Sequence, residues 1–346
     1  MPELPRGIGG WAACLALALA IAGCAREATQ LAITGEALGT TWSVKVSEPP
    51  PGLGEPQARQ AVAAALAQVD AQMSTYREDS ELSRFNRAQS TDWLPVSPDT
   101  VAVVAEAQRI AALSQGALDV TVGPLVNLWG FGPDPIPDEV PDAAAVASAR
   151  ERVGYEMLAY RLQPPALRKA RPDLYVDLSA IAKGYAVDRA AAALERHGAT
   201  DYLVEVGGEL RSRGRSPRGD GWRVAIERPI PGQRTVERVI LPGDNGLATS
   251  GDYRHYFEQD GRRYSHTIDP STGQPIAHTL ASVTVVHPSA TTADGLATAL
   301  LVLGPERGAE LSQALGLAVL MIIRSGNGFE ERSSSAFAPH LSDTLE

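Results

Sequence analysis

The clearest periodicity in the chain is at Val62, Leu66, Val69 and Met73, apolar positions spaced four, three and four, which predicts an amphipathic helix. The breaker Pro49-Pro50-Pro51-Gly52 precedes it, and before that residues 40–47 alternate as a strand. A second helix opens with Ser97 as N-cap and Pro98 in the first helical position. It continues through Val101, Val104, Gln108 and Ala111 and closes at Gly116. Residues 130–141 are proline-rich and read as a loop, and 143–153 as a helix. Strand-like runs follow at 174–178, 202–206, 222–227 and 236–241. A helix over 179–197 separates the first two, stopped by Gly198, with Arg196 and His197 suited to its negative end. Gly207-Gly208 reads as a tight turn between strands. Farther on, 280–286 alternates as a strand, 291–303 is helical and 317–323 is a last buried strand. Strands mostly follow one another through turns, and no repeat or long linker interrupts them. The pattern predicts an α+β fold in one domain.

The N-terminus stands apart from this pattern. An apolar run from Trp11 to Ala22 is too short to cross a bilayer, which takes about 20 residues, and has the length of a signal-peptide core. Ile21-Ala22-Gly23-Cys24 closes it: an aliphatic residue, two small ones, then a cysteine to be diacylated. A plain signal peptide with an incidental cysteine is the alternative, and the order of residues favours lipidation. The expected organisation is a signal peptide at 1–23, a lipidated N-terminus and tether at 24–39, one domain at 40–332 and a loose tail at 333–346. The only other cysteine, Cys14, leaves with the signal peptide, so no disulfide is expected. Lipid at Cys24 would anchor the protein to a membrane rather than thread it through. The net charge of −10 argues against nucleic acid, whose phosphates demand Lys and Arg, and so does the low aromatic content.

The common phosphate, zinc, redox-thiol and esterase motifs are absent. Candidate chemistry lies instead in polar residues set into apolar contexts. Asp177 at the end of a strand and Ser179 at the start of a helix would leave free N–H groups for a phosphate, with Lys183 one turn along. The same residues also fit a helix cap followed by a solvated lysine. Asp294 and Thr298, at i and i+4, share one helix face and offer the hard oxygens that Mg²⁺ prefers; a capping aspartate and a packed threonine are the plain alternative. His266, between Ser265 and Thr267, is a proton-transfer candidate or a hydrogen-bonded structural residue. Tyr76 and Tyr253 could stack on a ring or simply pack.

Taken in order, five motifs resemble the ApbE family of FAD:protein FMN transferases. They are Met73-Ser74-Thr75-Tyr76, Gly116-Ala117-Leu118-Asp119-Val120-Thr121, Asp177-Leu178-Ser179-Ala180-Ile181-Ala182-Lys183-Gly184, Ser265-His266-Thr267-Ile268-Asp269-Pro270 and Ala293-Asp294-Gly295-Leu296-Ala297-Thr298. The resemblance extends from Leu38-Gly39-Thr40-Thr41-Trp42 to about Gly304. It implies a single α+β domain of mixed, largely antiparallel sheets with packed helices and an FAD cleft.

By position, Leu38, Tyr76, Ala117, Leu118, Asp119, Asp177, Lys183, Ile268 and Ala297 would line the FAD site. Ala180 through its carbonyl, Asp294 and Thr298 would hold Mg²⁺. Leu38 replaces a methionine common in the family, and Ala297 stands where some relatives carry a second aspartate. The implied reaction is attack of an acceptor threonine or serine hydroxyl on the FMN phosphorus of FAD, with AMP leaving. His266, Lys183 and Asp294 would be the catalytic groups. Implied acceptors carry a segment like Asp-x-x-[Ser/Thr]-Gly-Ala-[Ser/Thr] in extracytoplasmic subunits of respiratory electron-transfer complexes. The implied location is the periplasmic side of a bacterial membrane. Two rivals are an FAD pyrophosphatase, served by the same metal site and yielding FMN and AMP, and a non-catalytic FAD-binding lipoprotein, which would not require Asp294 and Thr298.

Overall fold

Leu31 and Ile33 alternate with polar neighbours just upstream of the expected first strand, and the fold uses them. In the computed structural model, which describes residues 29–133 and 139–342, strand β1 (Gln30–Ala37) turns at Leu38-Gly39 into β2 (Thr40–Ser47). The two pair antiparallel along their whole length, so the segment expected as a tether joins the fold at Gln30. Two inward apolar residues in a polar octet are a weak signal; pairing with β2 makes the strand. The 1–23 leader, Cys24 and residues 134–138 lie outside the described residues.

Helix α1 (Glu55–Met73) buries the expected stripe of Val62, Leu66, Val69 and Met73. Helix α2 (Glu81–Arg87) is capped by the Ser80 hydroxyl, which accepts from the Ser83 N–H at 2.9 Å. After the short strand β3 (Leu94–Pro95), Ser97 caps α3 (Pro98–Leu113) by accepting from the Thr100 N–H at 3.2 Å, as its sequence predicts. Helices α4 (Gly123–Leu128) and α5 (Ala143–Arg150) flank the proline-rich stretch. Strands β4 (Leu158–Arg161) and β5 (Ala166–Lys169) join β3 in a small sheet of order β3-β5-β4.

Residues 174–178 are not the strand their composition predicts. Their backbone is held another way. The Asn86 side-chain amide donates to the Val176 carbonyl and accepts from its N–H, both at 2.8 Å, and the Asp177 N–H donates to the Val120 carbonyl at 2.7 Å. A side chain here substitutes for a neighbouring strand. The helix expected from 179 starts later, as α6 (Ala182–Arg196), because Leu178 to Ile181 first close a turn.

Strands then follow in succession: β6 (Tyr202–Val206), β7 (Glu209–Arg213), β8 (Val224–Glu227), β9 (Val236–Ile240) and β10 (Gly246–Gly251). The hairpins β11 (Tyr256–Gln259) with β12 (Arg262–Ser265), and β13 (Ile268–Asp269) with β14 (Gln274–Pro275), lead to β15 (Leu280–His287). Helix α7 (Ala290–Ala314) breaks at Gly304, with φ 79° just before Pro305, where the apolar pattern from 291 also runs out. Strands β16 (Ala318–Ser325) and β17 (Gly328–Ser333) complete the sheet.

Eight strands form one sheet in the order β1-β2-β6-β7-β10-β15-β16-β17, with every neighbouring pair antiparallel. Helices α1, α6 and α7 cover one face around a large apolar core. On the other face Leu210, Leu247 and Leu320 meet Ile226 and Ile240 of the β8–β9 ribbon, and Phe337. This is the α+β class the sequence predicts. The described part of the tail, 333–342, is not loose: β17 runs to Ser333, a 3₁₀ segment spans Ser335–His340, and Phe337 is fully buried; residues 343–346 lie outside the described residues. One aromatic in a polar tail has no periodicity to announce it.

Phe337→Ala is expected to destabilise the fold by about 3–5 kcal/mol, the usual cost of emptying a buried aromatic site. A urea melt reads this directly; an unchanged midpoint would make the tail loose after all.

Candidate active site

The large sheet parts in its middle. Strands β7 and β10 pair only at Leu210–Leu247 and Arg211–Gly246, while β10 continues beside β15 as far as Gly251. Beyond that short ladder a cavity of about 860 Å³ opens, with Glu209 on one side and Thr249 to Gly251 on the other. The N-terminal parts of α6 and α7 form its floor through Lys183, Asp294 and Thr298. Tyr76, Ala117 and Phe131 contribute from the loops around it, and His255 and His266 from the β11–β12 hairpin.

A charged cluster lies in that floor. Lys183 Nζ pairs with Glu209 Oε1 at 2.6 Å, and its exposed part faces the cleft that it lines. Glu209 is buried and its Oε2 has no hydrogen-bond partner among the described residues. Asp294 is buried too, and its Oδ2 accepts from the Gly184 N–H at 2.9 Å. Gly184 lies in the first turn of α6, where N–H groups have no intrahelical acceptor, so Asp294 caps the helix from its neighbour; Ala180, just before the helix begins, lines the cavity wall. The Thr298 and Ser250 hydroxyls lie 3.1 Å apart.

Burial pushes the Asp294 carboxyl up to about 8 and the Glu209 charge adds to this, while Lys183 and the Gly184 N–H pull it back. Burial raises Glu209 as well, against the pull of Lys183. Burial works against the Lys183 ammonium, but Glu209 and Asp294 outweigh it and hold the group above its ordinary value. Burial thus raises both carboxyls, and repulsion from Glu209 adds to it at Asp294, with Lys183 as the opposing charge. Among the described residues no three His, Cys, Asp or Glu side chains gather as a metal cluster. The expected ligand set needs only one of them, with a hydroxyl and a carbonyl besides, and those oxygens fit Mg²⁺.

The remaining expected residues divide into three groups. Ala117, Leu118 and Ile268 line the cavity, and Tyr76, 68% exposed, stands at its edge. Asp119 and Asp177 also line it, and both accept hydrogen bonds from the chain. Asp119 accepts from the Thr121 N–H at 2.8 Å, the Thr121 hydroxyl at 2.6 Å and the Tyr155 N–H at 2.8 Å. Asp177 Oδ1 accepts from the Ser179 N–H at 2.9 Å and hydroxyl at 2.6 Å. Both carboxylates shape loops in the wall. Leu38 and Ala297 do not line the cavity. Leu38 occupies the β1–β2 turn against the core, and Ala297 is fully buried on the inner side of α7.

His266 lines the cavity with its Nδ1 3.0 Å from the His255 carbonyl. That contact requires a proton on Nδ1 and leaves Nε2 as an acceptor. Burial, and then the neighbouring His255, lower its pKa to about 4, so the ring is neutral at physiological pH.

Two residues that the sequence did not single out are central. Glu209 follows the Gly207-Gly208 turn, and a carboxylate pointing inward from a strand was its only signal. Asp188 accepts from the Ser289 hydroxyl (2.9 Å), the Ala290 N–H (3.1 Å), the Thr291 N–H (3.0 Å), the Thr291 hydroxyl (2.7 Å) and Arg211 (2.8 Å). It fastens α6 to the positive end of α7 and so fixes Lys183 relative to Asp294. On sequence alone it looks like any solvated helix aspartate.

Comparison with known proteins gives this cleft a setting. The ApbE family model matches residues 38–321. A Vibrio cholerae protein named FAD:protein FMN transferase is 50% identical over 333 residues, which cover 96% of this chain and 99% of that one. The structure of the Vibrio cholerae flavin transferase ApbE superposes with a TM-score of 0.85 at 48% identity, covering 91% of this chain and all of that one. The apo flavinyl transferase ApbE of Pseudomonas stutzeri gives 0.84 at 42% identity, over 92% and 98% of the two chains. With a family match across most of its length and relatives near half identical from end to end, this chain belongs to the ApbE family.

Proposed function

We propose that the protein transfers FMN from FAD to a threonine or serine hydroxyl of an acceptor protein. The observation that carries this reading is the Lys183–Glu209–Asp294 cluster in the floor of a flavin-sized cleft, in a chain whose relatives bear the name of that activity. The acceptor oxygen forms a bond to the FMN phosphorus as the pyrophosphate P–O bond to AMP breaks, and the hydroxyl proton passes to a base. Asp294, Thr298 and the Ala180 carbonyl would hold Mg²⁺, which when bound neutralises pyrophosphate charge. Lys183 holds a phosphate in place and adds to that neutralisation. His266, neutral with Nε2 free, accepts the proton. Tyr76, Ala117, Leu118 and Ile268 form the apolar wall for FAD, with Asp119 and Asp177 keeping the loops in shape. Anchoring at Cys24 on the periplasmic side of the membrane belongs to the same reading; Cys24→Ser should move the protein from the membrane fraction to the soluble one, and unchanged partitioning would oppose it.

Incubation with FAD, Mg²⁺ and a domain bearing the acceptor motif should leave flavin fluorescence on the acceptor band of a denaturing gel. The band should vanish when the acceptor threonine becomes alanine. Asp294→Ala should lower the rate by about two orders of magnitude or more, the scale of an electrostatic contribution of several kcal/mol. AMP and free FMN with no labelled band would make the protein a pyrophosphatase instead.

The depressed His266 pKa has a kinetic consequence. The group is already unprotonated through pH 6–8, so His266 should contribute no acid limb to kcat/KM near 6.5, its own limb falling toward pH 4. His266→Ala should cost about 10²-fold or more in kcat. Full activity in that variant, or a limb at 6.5 that it abolishes, would overturn the assignment.

A further inference from the structure

The β8–β9 ribbon stands apart from the large sheet and has two outer edges. The chain itself covers one of them. Leu341 bridges Ile240, the Leu241 N–H donates to the His340 carbonyl at 2.9 Å, and the Ser342 N–H to the Val239 carbonyl at 3.4 Å. Among the described residues no strand pairs with the other edge, which belongs to β8.

That edge borders the cleft. All four β8 residues, 224–227, line the cavity, although successive side chains of a strand point to opposite faces. Val224 and Ile226 pack into the second core, while Ala225 is exposed and Glu227 half-buried. A space reached from both faces of a strand must run along its edge. Every second residue of an antiparallel strand spends its N–H and C=O on its partner, and the residues between them direct theirs outward. Among the described residues, β8 therefore presents main-chain donors and acceptors toward the cleft that no other strand pairs.

The edge is short, but no side chain blocks it over Val224 to Ile226. Long charged side chains and prolines ordinarily block such edges. β8 has neither over Val224 to Ile226, and at its end Glu227 is drawn aside into a pair with Arg254. The small Ala225 side chain leaves room for another backbone to approach. A register shift at Ile226/Glu227 ends the ribbon's own pairing at that point.

We propose that the acceptor protein presents its hydroxyl on an extended segment that adds as a strand to the free edge of β8. The inference rests on the transferase reading, since only a protein acceptor supplies a backbone ladder to match. Main-chain bonds would hold segments of varied sequence, and alternation of side chains would turn one residue in two into the cleft. A serine or threonine at such a position meets FAD, while its neighbours face away.

The test is hydrogen exchange on the wild-type protein already loaded with FAD, with and without an acceptor domain whose threonine is changed to alanine. Outward amides within 224–227 should exchange at least tenfold more slowly with the acceptor bound, while β9 amides stay as they were. Ala225→Pro, checked for an unchanged melting temperature, should raise the acceptor KM at least tenfold without weakening FAD binding, measured by flavin fluorescence. Unchanged exchange at 224–227, or protection that FAD alone already produces, overturns the proposal. Transfer to the unmodified acceptor is assayed in parallel. Transfer without β8 protection refutes the added strand alone; failure of transfer despite bound FAD refutes the transferase reading.

Discussion

The Gly184 N–H that donates to Asp294 Oδ2 ties together the two helices on which the site depends. The approach is possible only with glycine at 184, because a Cβ there would lie 2.2 Å from the Ala290 carbonyl oxygen and 2.7 Å from the Asp294 Cβ. Close packing of α6 on α7 brings Asp294 to the start of α6, where it caps a first-turn N–H beside Ala180, a residue of the cavity wall. Asp188, one turn beyond Gly184, fixes the same junction from its other side through four hydrogen bonds from residues 289–291, with a fifth from Arg211 on β7. A helix–helix contact thereby becomes a set of convergent oxygens.

Two buried carboxylates so near one another are costly, and a single lysine does not offset both. Burial and the Glu209 charge both raise the Asp294 carboxyl, and Glu209 Oε2 has no hydrogen-bond partner among the described residues. A cation at this place would relieve the repulsion. The split in the sheet serves the same end. Had β7 and β10 paired along their full length, Glu209 would have no opening to face. The structure gives up ladder hydrogen bonds at that point and gains a cleft.

Much of this was legible in the sequence because local rules and tertiary structure agree. The α1 stripe and the Ser97-Pro98 start of α3 depend on near neighbours, and both stand where the pattern places them. Lys183, Asp294, Thr298 and His266 share one cavity, as a resemblance spread over five motifs implies. The failures depend on distant partners. Residues 174–178 have strand composition, but the Asn86 amide takes the place of a paired strand. β1 needs β2, and Phe337 needs the far face of a sheet whose strands lie scattered along the chain. Glu209 and Asp188 owe their roles to contacts that no spacing records. Leu38 and Ala297, placed by motif position alone, lie outside the residues that line the cavity.

The central claim is that the α6–α7 junction is a divalent-cation seat facing the FAD pyrophosphate. Its most direct test is a crystal of the protein with FAD and Mn²⁺ in place of Mg²⁺, with anomalous scattering used to locate the metal. The account predicts a peak coordinated by Asp294, Thr298 and the Ala180 carbonyl, in contact with the pyrophosphate. A peak elsewhere in the cleft, or FAD bound with no metal at this junction, would contradict it.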